Sequence, residues 1–195
     1  MPAPPTRAQI IDAADRLFHG QGFEHTSFAH IAEAVGISRG NFYHHFKAKD
    51  DILEAVIAMR AARTEAMLGQ WEAQDTQPQA RLRAFVRLLL DNQASIMESG
   101  CPVGSLCSEL ARLGHPSQPG ARGLFTLFRG WLRQQFTQAG CGAEADALAM
   151  HLLARSQGAA VLMQAFRDPA FAQAEVARME QWLAAVLPAP APAAL

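Results

Sequence analysis

Five residues of differing chemistry share one short stretch, SRGNFYHHFKAK from Ser38 to Lys49. Arg39 and Tyr43 stand four apart, Gly40 and His44 line up beside them, and Asn41 lies near the start of the same run. At helical spacing these side chains share an outward surface. Guanidinium, carboxamide and phenol groups donate hydrogen bonds to phosphate oxygens and base edges. Glycine at position 40 removes a side chain where another backbone must come close. Lys47 and Lys49 follow in the next turn and are the only lysines of the chain, so Ser38–Lys49 carries three formal positives and no acid.

Two elements must hold that surface in place. Phe28, Ile31, Ala32 and Val35 recur at i, i+3, i+4 and i+7, which gives a first helix one apolar face. Thr26 or Ser27 is expected to cap its start. Gly36 follows Val35 directly and can reverse the chain with a positive φ. Ser38 is the expected cap of a second helix over residues 39–46, about 12 Å long. Phe42 and Phe46 lie four apart on its opposite face and are expected to pack inward against Ile37 and the first helix. Two short helices joined by a tight turn form a helix-turn-helix, whose second helix enters the major groove.

The run SRGNFYHHFKAKDDIL, with FEHTSFAHIAEAVGI before it, resembles the DNA-binding domain of the TetR family of bacterial transcriptional regulators. The resemblance covers Thr6 to about Met59. It implies DNA contacts at Thr26, Ser38, Arg39, Gly40, Asn41, Tyr43, His44 and Lys49, with Phe42, His45 and Phe46 holding the helix in place. One feature departs from the usual basic balance of a nucleic-acid binder. Residues 1–60 hold six Arg or Lys against seven Asp or Glu, a net charge of −1. Modest non-specific affinity and a moderate salt dependence are therefore expected.

Half of the 195 residues are hydrophobic, enough to build a sizeable core, and the net charge of −1 points to no general class of partner. No apolar run approaches the ~18 residues of a membrane span. The opening MPAPPTR lacks a signal-peptide stretch, and three cysteines do not form a disulfide framework, so a cytoplasmic setting is expected. Helical periodicity runs throughout, which predicts an all-α chain of about nine helices. The expected organisation is a three-helix helix-turn-helix domain at 1–47, a larger helical-bundle domain for ligand binding and dimerisation at 48–187, and a disordered tail at 188–195. A fifth helix is expected through Leu82, Phe85, Val86, Leu89, Ile96 and Met97. Gly114–Gly120, with two prolines, reads as a loop. Asp168 and Pro169 stop the eighth helix.

Leu148, Leu152, Leu162, Met163 and Phe166, with the small residues Gly158, Ala159 and Ala160, give that helix apolar groups on more than one face. Together with the family resemblance they predict a homodimer. Doubling a short recognition helix by two-fold symmetry also makes a near-palindromic operator readable. Effector-lining residues are expected at Met97, Leu106, Phe128, Trp131, His151 and Arg155, with Phe125 and Met163 as further candidates. His151 and Arg155 are four apart and suit either a polar ligand end or an acid across an interface. The expected partners are a double-stranded DNA operator and a small-molecule effector.

SGCPVGSLCSEL, from Ser99 to Leu110, is similar to a stretch in the NemR and AcuR group of the same family, where the residue aligned with Cys101 senses electrophiles or oxidants. Pro102 suits the first turn of a helix and so puts Cys101 at its N-cap, where a thiolate is stabilised. Cys107 falls on the apolar stripe of that helix, about 9 Å along it, too far for a disulfide without unwinding. No recognised metal-ligand spacing, phosphate-binding loop or nucleophile–base pair occurs. The sequence reads as a ligand-gated repressor, with a Cys101 sensor as the alternative, and not as an enzyme; no cofactor or metal is expected.

Overall fold

A computed structural model of the chain describes residues 6–188, apart from the side chain of Arg39. The N-terminal segment 1–5 and the expected disordered tail beyond Pro188 lie outside the described residues. Among the described residues ten α-helices follow one another: α1 (Thr6–Gln21), α2 (Phe28–Val35), α3 (Arg39–His45), α4 (Lys49–Gln74), α5 (Pro78–Asp91), α6 (Gln93–Ser99), α7 (Pro102–Arg112), α8 (Gln118–Gln138), α9 (Ala145–Phe166) and α10 (Pro169–Val186). Among the described residues there is no strand.

Two boundaries differ from the sequence reading, and the stop expected at Asp168 and Pro169 is found. The expected fifth helix is two: the chain breaks at Asn92, whose φ of −107° and ψ of 15° end α5 while its carboxamide donates to Leu88 O at 2.9 Å. An Asn side chain competes for the carbonyls of its own helix, which explains the stop. The expected loop 114–120 is shorter, because α8 already begins at Gln118. Pro119 is accommodated there since the first turn needs no donor from it. Helix α9 ends at Arg167 in the left-handed region, φ 51°, and Asp168 then caps α10 by accepting from Ala170 N at 2.9 Å.

The chain divides into two compact units. One unit gathers Met1–Thr64 with Ser99–Phe125; the other gathers Glu65–Glu98 with Thr126–Leu195. The reason lies in α7. Its apolar residues Leu106 and Leu110 join Ile10, Ala14, Phe18, Phe23, Ile31, Phe42, Phe46 and Leu53 in one buried core. A fully buried Leu or Phe contributes about 1.5–3 kcal/mol. Taking α7 away would uncover this core, so the small N-terminal domain includes a segment from the middle of the chain. Arg60 reinforces the assembly: its Nε meets Asp15 of α1 at 2.6 Å and its Nη1 donates to Pro102 O at 2.5 Å.

The second unit buries Leu82, Val86, Leu132, Phe136, Leu152, Met163, Met179 and Leu183. A polar group lies inside it as well. Gln135 is fully buried, its carboxamide donating to Glu72 and accepting from Arg81 Nη1 at 3.1 Å. Among the described residues no buried side-chain nitrogen or oxygen is left without a partner.

Candidate nucleic-acid interface

The two short helices are set by their caps. Ser27 Oγ accepts His30 N at 3.2 Å while His30 Nδ1 accepts Ser27 N at 3.3 Å, a reciprocal box at the start of α2. Gly36 ends α2 with φ 73°, and Ile37 N returns to Ala32 O at 3.1 Å. This pattern closes the last turn and needs a residue tolerant of positive φ. Ser38 then caps α3 by accepting Asn41 N at 3.3 Å. At the far end the Lys47 ammonium donates to Tyr43 O, satisfying a carbonyl the helix leaves open.

Phe42 and Phe46 are 1% and 3% exposed, and Phe42 packs on Phe28 with ring centroids 5.1 Å apart. Arg7 stands over the Phe46 ring at 4.8 Å. Behind that anchor the opposite face is open. Ser38, Gly40, Asn41, Tyr43 and His44 are all exposed, and Tyr43 retains 45% of its surface while its ring edge rests on Phe28. A side-chain carbon built on Gly40 would meet nothing within 4 Å. The glycine therefore relieves no crowding inside the chain. Arg39 occupies the first position of α3. His45 is half-buried at the helix end.

Two expected contact residues are placed differently. Thr26 is 1% exposed: its hydroxyl donates to Gly22 O at 2.7 Å and accepts from Gln21 Nε2 at 3.2 Å, so it shapes the turn before α2 instead of facing outward. Lys49 is half-buried, its Nζ donating to Phe23 O at 2.9 Å and Glu24 O at 3.3 Å and standing 4.2 Å over the Phe23 ring. Two of its three donors are committed within the chain. The His30 partner of the capping box was missed, because the familiar signature has Glu or Gln at that position.

The expected effector residues belong to both units. Leu106 belongs to the core of the first unit, since the apolar face of α7 packs there. His151 is exposed, its ring 4.7 Å from that of Trp182, because Leu152, Leu153 and Ser156 take the inward face of α9. Arg155 is paired with Glu175 of α10 in the same chain at 2.8 Å. His151 and Arg155 lie in the second unit, as do the other three. Trp131 is buried, donating from Nε1 to Glu72 at 2.9 Å with its ring 5.5 Å from Trp71, and Phe128 packs on Phe85 at 5.7 Å. Met97 is half-buried on α6.

Cys101 is the N-cap of α7, its Sγ accepting Gly104 N at 3.5 Å. Burial and the nearby Cys101 push the Cys107 thiol up to about 11, against the opposing pull of Arg60. Among the described residues no group of three or more His, Cys, Asp or Glu is arranged to hold a metal ion, and no helix is long and apolar enough to cross a membrane.

Helix α9 has a second uncovered surface. Met150, Val161, Leu162 and Phe166 are 42%, 64%, 42% and 68% exposed, beside the exposed small residues Ala154 and Gly158. Leu152, Ala159, Ala160 and Met163, expected on the same interface, point instead into the unit's own core.

Comparison with known proteins matches residues 10–56 to the model for bacterial regulatory proteins of the tetR family, and residues 78–174 to that for the C-terminal domain of LmrA/YxaF-like transcriptional regulators. The regulator TtgR of Pseudomonas putida is 46% identical over 55 residues, 28% of this chain and 26% of TtgR. YxaF of Bacillus subtilis, an uncharacterised HTH-type regulator, is 29% identical over 115 residues, 57% of this chain and 59% of YxaF. The match therefore spans about a quarter of the first relative and under two thirds of the second. Two solved structures share the fold: a TetR transcriptional regulator from Legionella pneumophila (TM-score 0.82, 22% identity, 93% of this chain and 99% of that one) and reduced E. coli NemR (TM-score 0.80, 18% identity, 96% and 100%).

Proposed function

The chain belongs to the TetR family of bacterial regulatory proteins, and on that premise we propose that it is a DNA-binding transcriptional regulator, a cytoplasmic repressor whose homodimer is released from a near-palindromic operator by a small molecule. The observation that carries this reading is the two-sidedness of α3. Phe42 and Phe46 fix it from behind, and its open face presents Ser38, Gly40, Asn41, Tyr43 and His44. Arg39, at the start of the same helix, supplies the charge suited to a guanine edge or a phosphate. Ser38, besides capping the helix, faces outward with a hydroxyl that suits a phosphate.

A helix of seven residues reads only a few base pairs. The apolar face of α9 supplies the means of pairing two copies, because a monomer in water would leave Val161 and Phe166 uncovered. Half-sites would then lie roughly 34–36 Å apart, or a multiple of that. Of the effector residues, Met97, Phe128 and Trp131 remain candidates for lining a small-molecule site. An effector that favours a spacing unsuited to the operator must, by linkage, bind more weakly when DNA is present.

The test is selection from a random duplex library with the purified full-length chain, followed by a mobility-shift titration. The expected product is an inverted repeat bound by two copies. Recovery of no preferred sequence, at low salt as well as high, would remove the reading.

A second reading, a thiol-based sensor, rests on the Cys101 sulfur capping α7. It predicts that N-ethylmaleimide releases the wild-type chain from its duplex and leaves Cys101→Ser bound; equal release of both excludes it.

A further inference from the structure

The turn between α1 and α2 is gripped from two sides. Glu109, on α7, accepts Phe23 N at Oε2 (2.9 Å) and Glu24 N at Oε1 (3.0 Å). From α4, Lys49 Nζ takes the carbonyls of the same two residues at 2.9 and 3.3 Å. Successive main-chain N–H groups that converge on a carboxylate form a charge-assisted anion nest. Gly22, φ +89°, admits the carboxylate: a Cβ there would lie 2.9 Å from Glu109 Oε1. The Phe23 ring is sunk between Phe18 (5.3 Å) and His115 (5.0 Å), so the turn has a buried pivot.

The gripped turn leads directly into the interface. Thr26 N bonds to Phe23 O at 3.2 Å, and the next residue, Ser27, caps α2. The height and direction of the gripped backbone therefore set where α2 begins, and α2 sets α3 through the Gly36 turn. Helix α7, meanwhile, begins just after the chain passes from the second unit to the first, between residues 98 and 99. The chain passes back again within α8, between residues 125 and 126. A change in the second unit thus has a covalent route to α7 besides the one through α4.

We propose that Glu109 is a positioning residue through which α7 sets the presentation of the helix-turn-helix, so that displacing α7 pulls on the α1–α2 turn and alters DNA affinity. This rests on the DNA-binding reading above. Sequence offers no signal for it, because the partners are 85 and 86 residues apart.

The test uses the full-length chain as wild type, Glu109→Ala and Glu109→Gln, with two readouts. The first is amide hydrogen exchange across residues 22–28 without DNA. The second is affinity for the duplex selected by the wild type. Glu109→Ala is expected to speed exchange at Phe23 and Glu24 about tenfold or more, as loss of a charge-assisted acceptor implies. It is also expected to lower duplex affinity about fivefold or more, with Glu109→Gln, which keeps one acceptor, falling between. Should Glu109→Ala fail to fold, Glu109→Gln carries both readouts. Unchanged exchange at the two amides overturns the grip. Faster exchange with unchanged duplex affinity overturns the positioning role. If the wild type selects no duplex, the DNA reading fails and the coupling falls with it, while the exchange result still decides separately whether the grip exists.

Discussion

Helices α3 and α9 each bury one face and leave the other open, yet the open faces differ in kind. On α3 the uncovered side chains include a carboxamide, a phenol and an imidazole, with aromatic anchors behind. On α9 they are Met150, Val161, Leu162 and Phe166, with aliphatic core residues behind. Polar donors on a rigid base suit a polyanion, where each contact replaces water and counterions. An apolar face suits a surface of its own kind, and a second copy of the chain is the nearest such surface. One folding principle, burial of a single stripe, thus leaves two open surfaces of opposite chemistry.

The sharpest way to break this contrast is to exchange chemistry on α9. Leu162→Asp places a carboxylate on the face proposed to pair two copies, where burying an ion would cost several kcal/mol, incurred twice across a two-fold axis. Sedimentation should report a monomer whose circular dichroism is intact, since Leu162 is 42% exposed within one chain. A dimer of wild-type strength would take α9 out of the interface. On α3 the buried side comes next. Phe42→Ala should cost about 3–5 kcal/mol in denaturant unfolding, because the ring fills a core site that cannot collapse fully. Arg39→Ala should lower affinity for the selected duplex by about 1–3 kcal/mol and relax preference at one position of each half-site if it reads a base, leaving the unfolding midpoint alone. Ser38→Ala removes the cap and should cost about 1 kcal/mol of stability.

A further effect concerns neither open face. The Cys107 thiol is held up at about 11 by its burial, above an ordinary value of 9.0. A raised folded value means the contribution is complete below the unfolded value. It is lost as pH climbs from about 9 to about 11. A stability profile over that window should fall for the wild type and flatten in Cys107→Ala, a comparison of slopes that is independent of the cavity the change leaves.

The same two regions differ in how readily they were legible in the sequence. Around α2 and α3 the punctuation is local: Ser27, Gly36 and Ser38 act within four residues of themselves, and the inward and outward sets follow from helical period alone. Expectations for Phe42, Phe46, Gly36 and Tyr43 and their placement in the structure agree for that reason. Thr26 and Lys49 were read as outward because their partners, Gly22 O and the Phe23 and Glu24 carbonyls, depend on how the preceding turn folds. In α7 and α9 periodicity marks a stripe without saying which neighbour covers it. Leu106 and His151 show the result: one lies in the core of the first unit and the other faces solvent. The joining of segment 99–125 to the core of the first unit was illegible for the same reason, since it comes from far along the chain.

The central claim is that the open face of α3 reads DNA, and fluorescence anisotropy on the selected duplex tests it most directly. Asn41→Ala with Tyr43→Phe, which removes the carboxamide and the phenol hydroxyl but keeps the ring on Phe28, should weaken binding at least tenfold while the thermal melt stays with the wild type. Isotherms that superimpose, from equally folded proteins, would contradict the account.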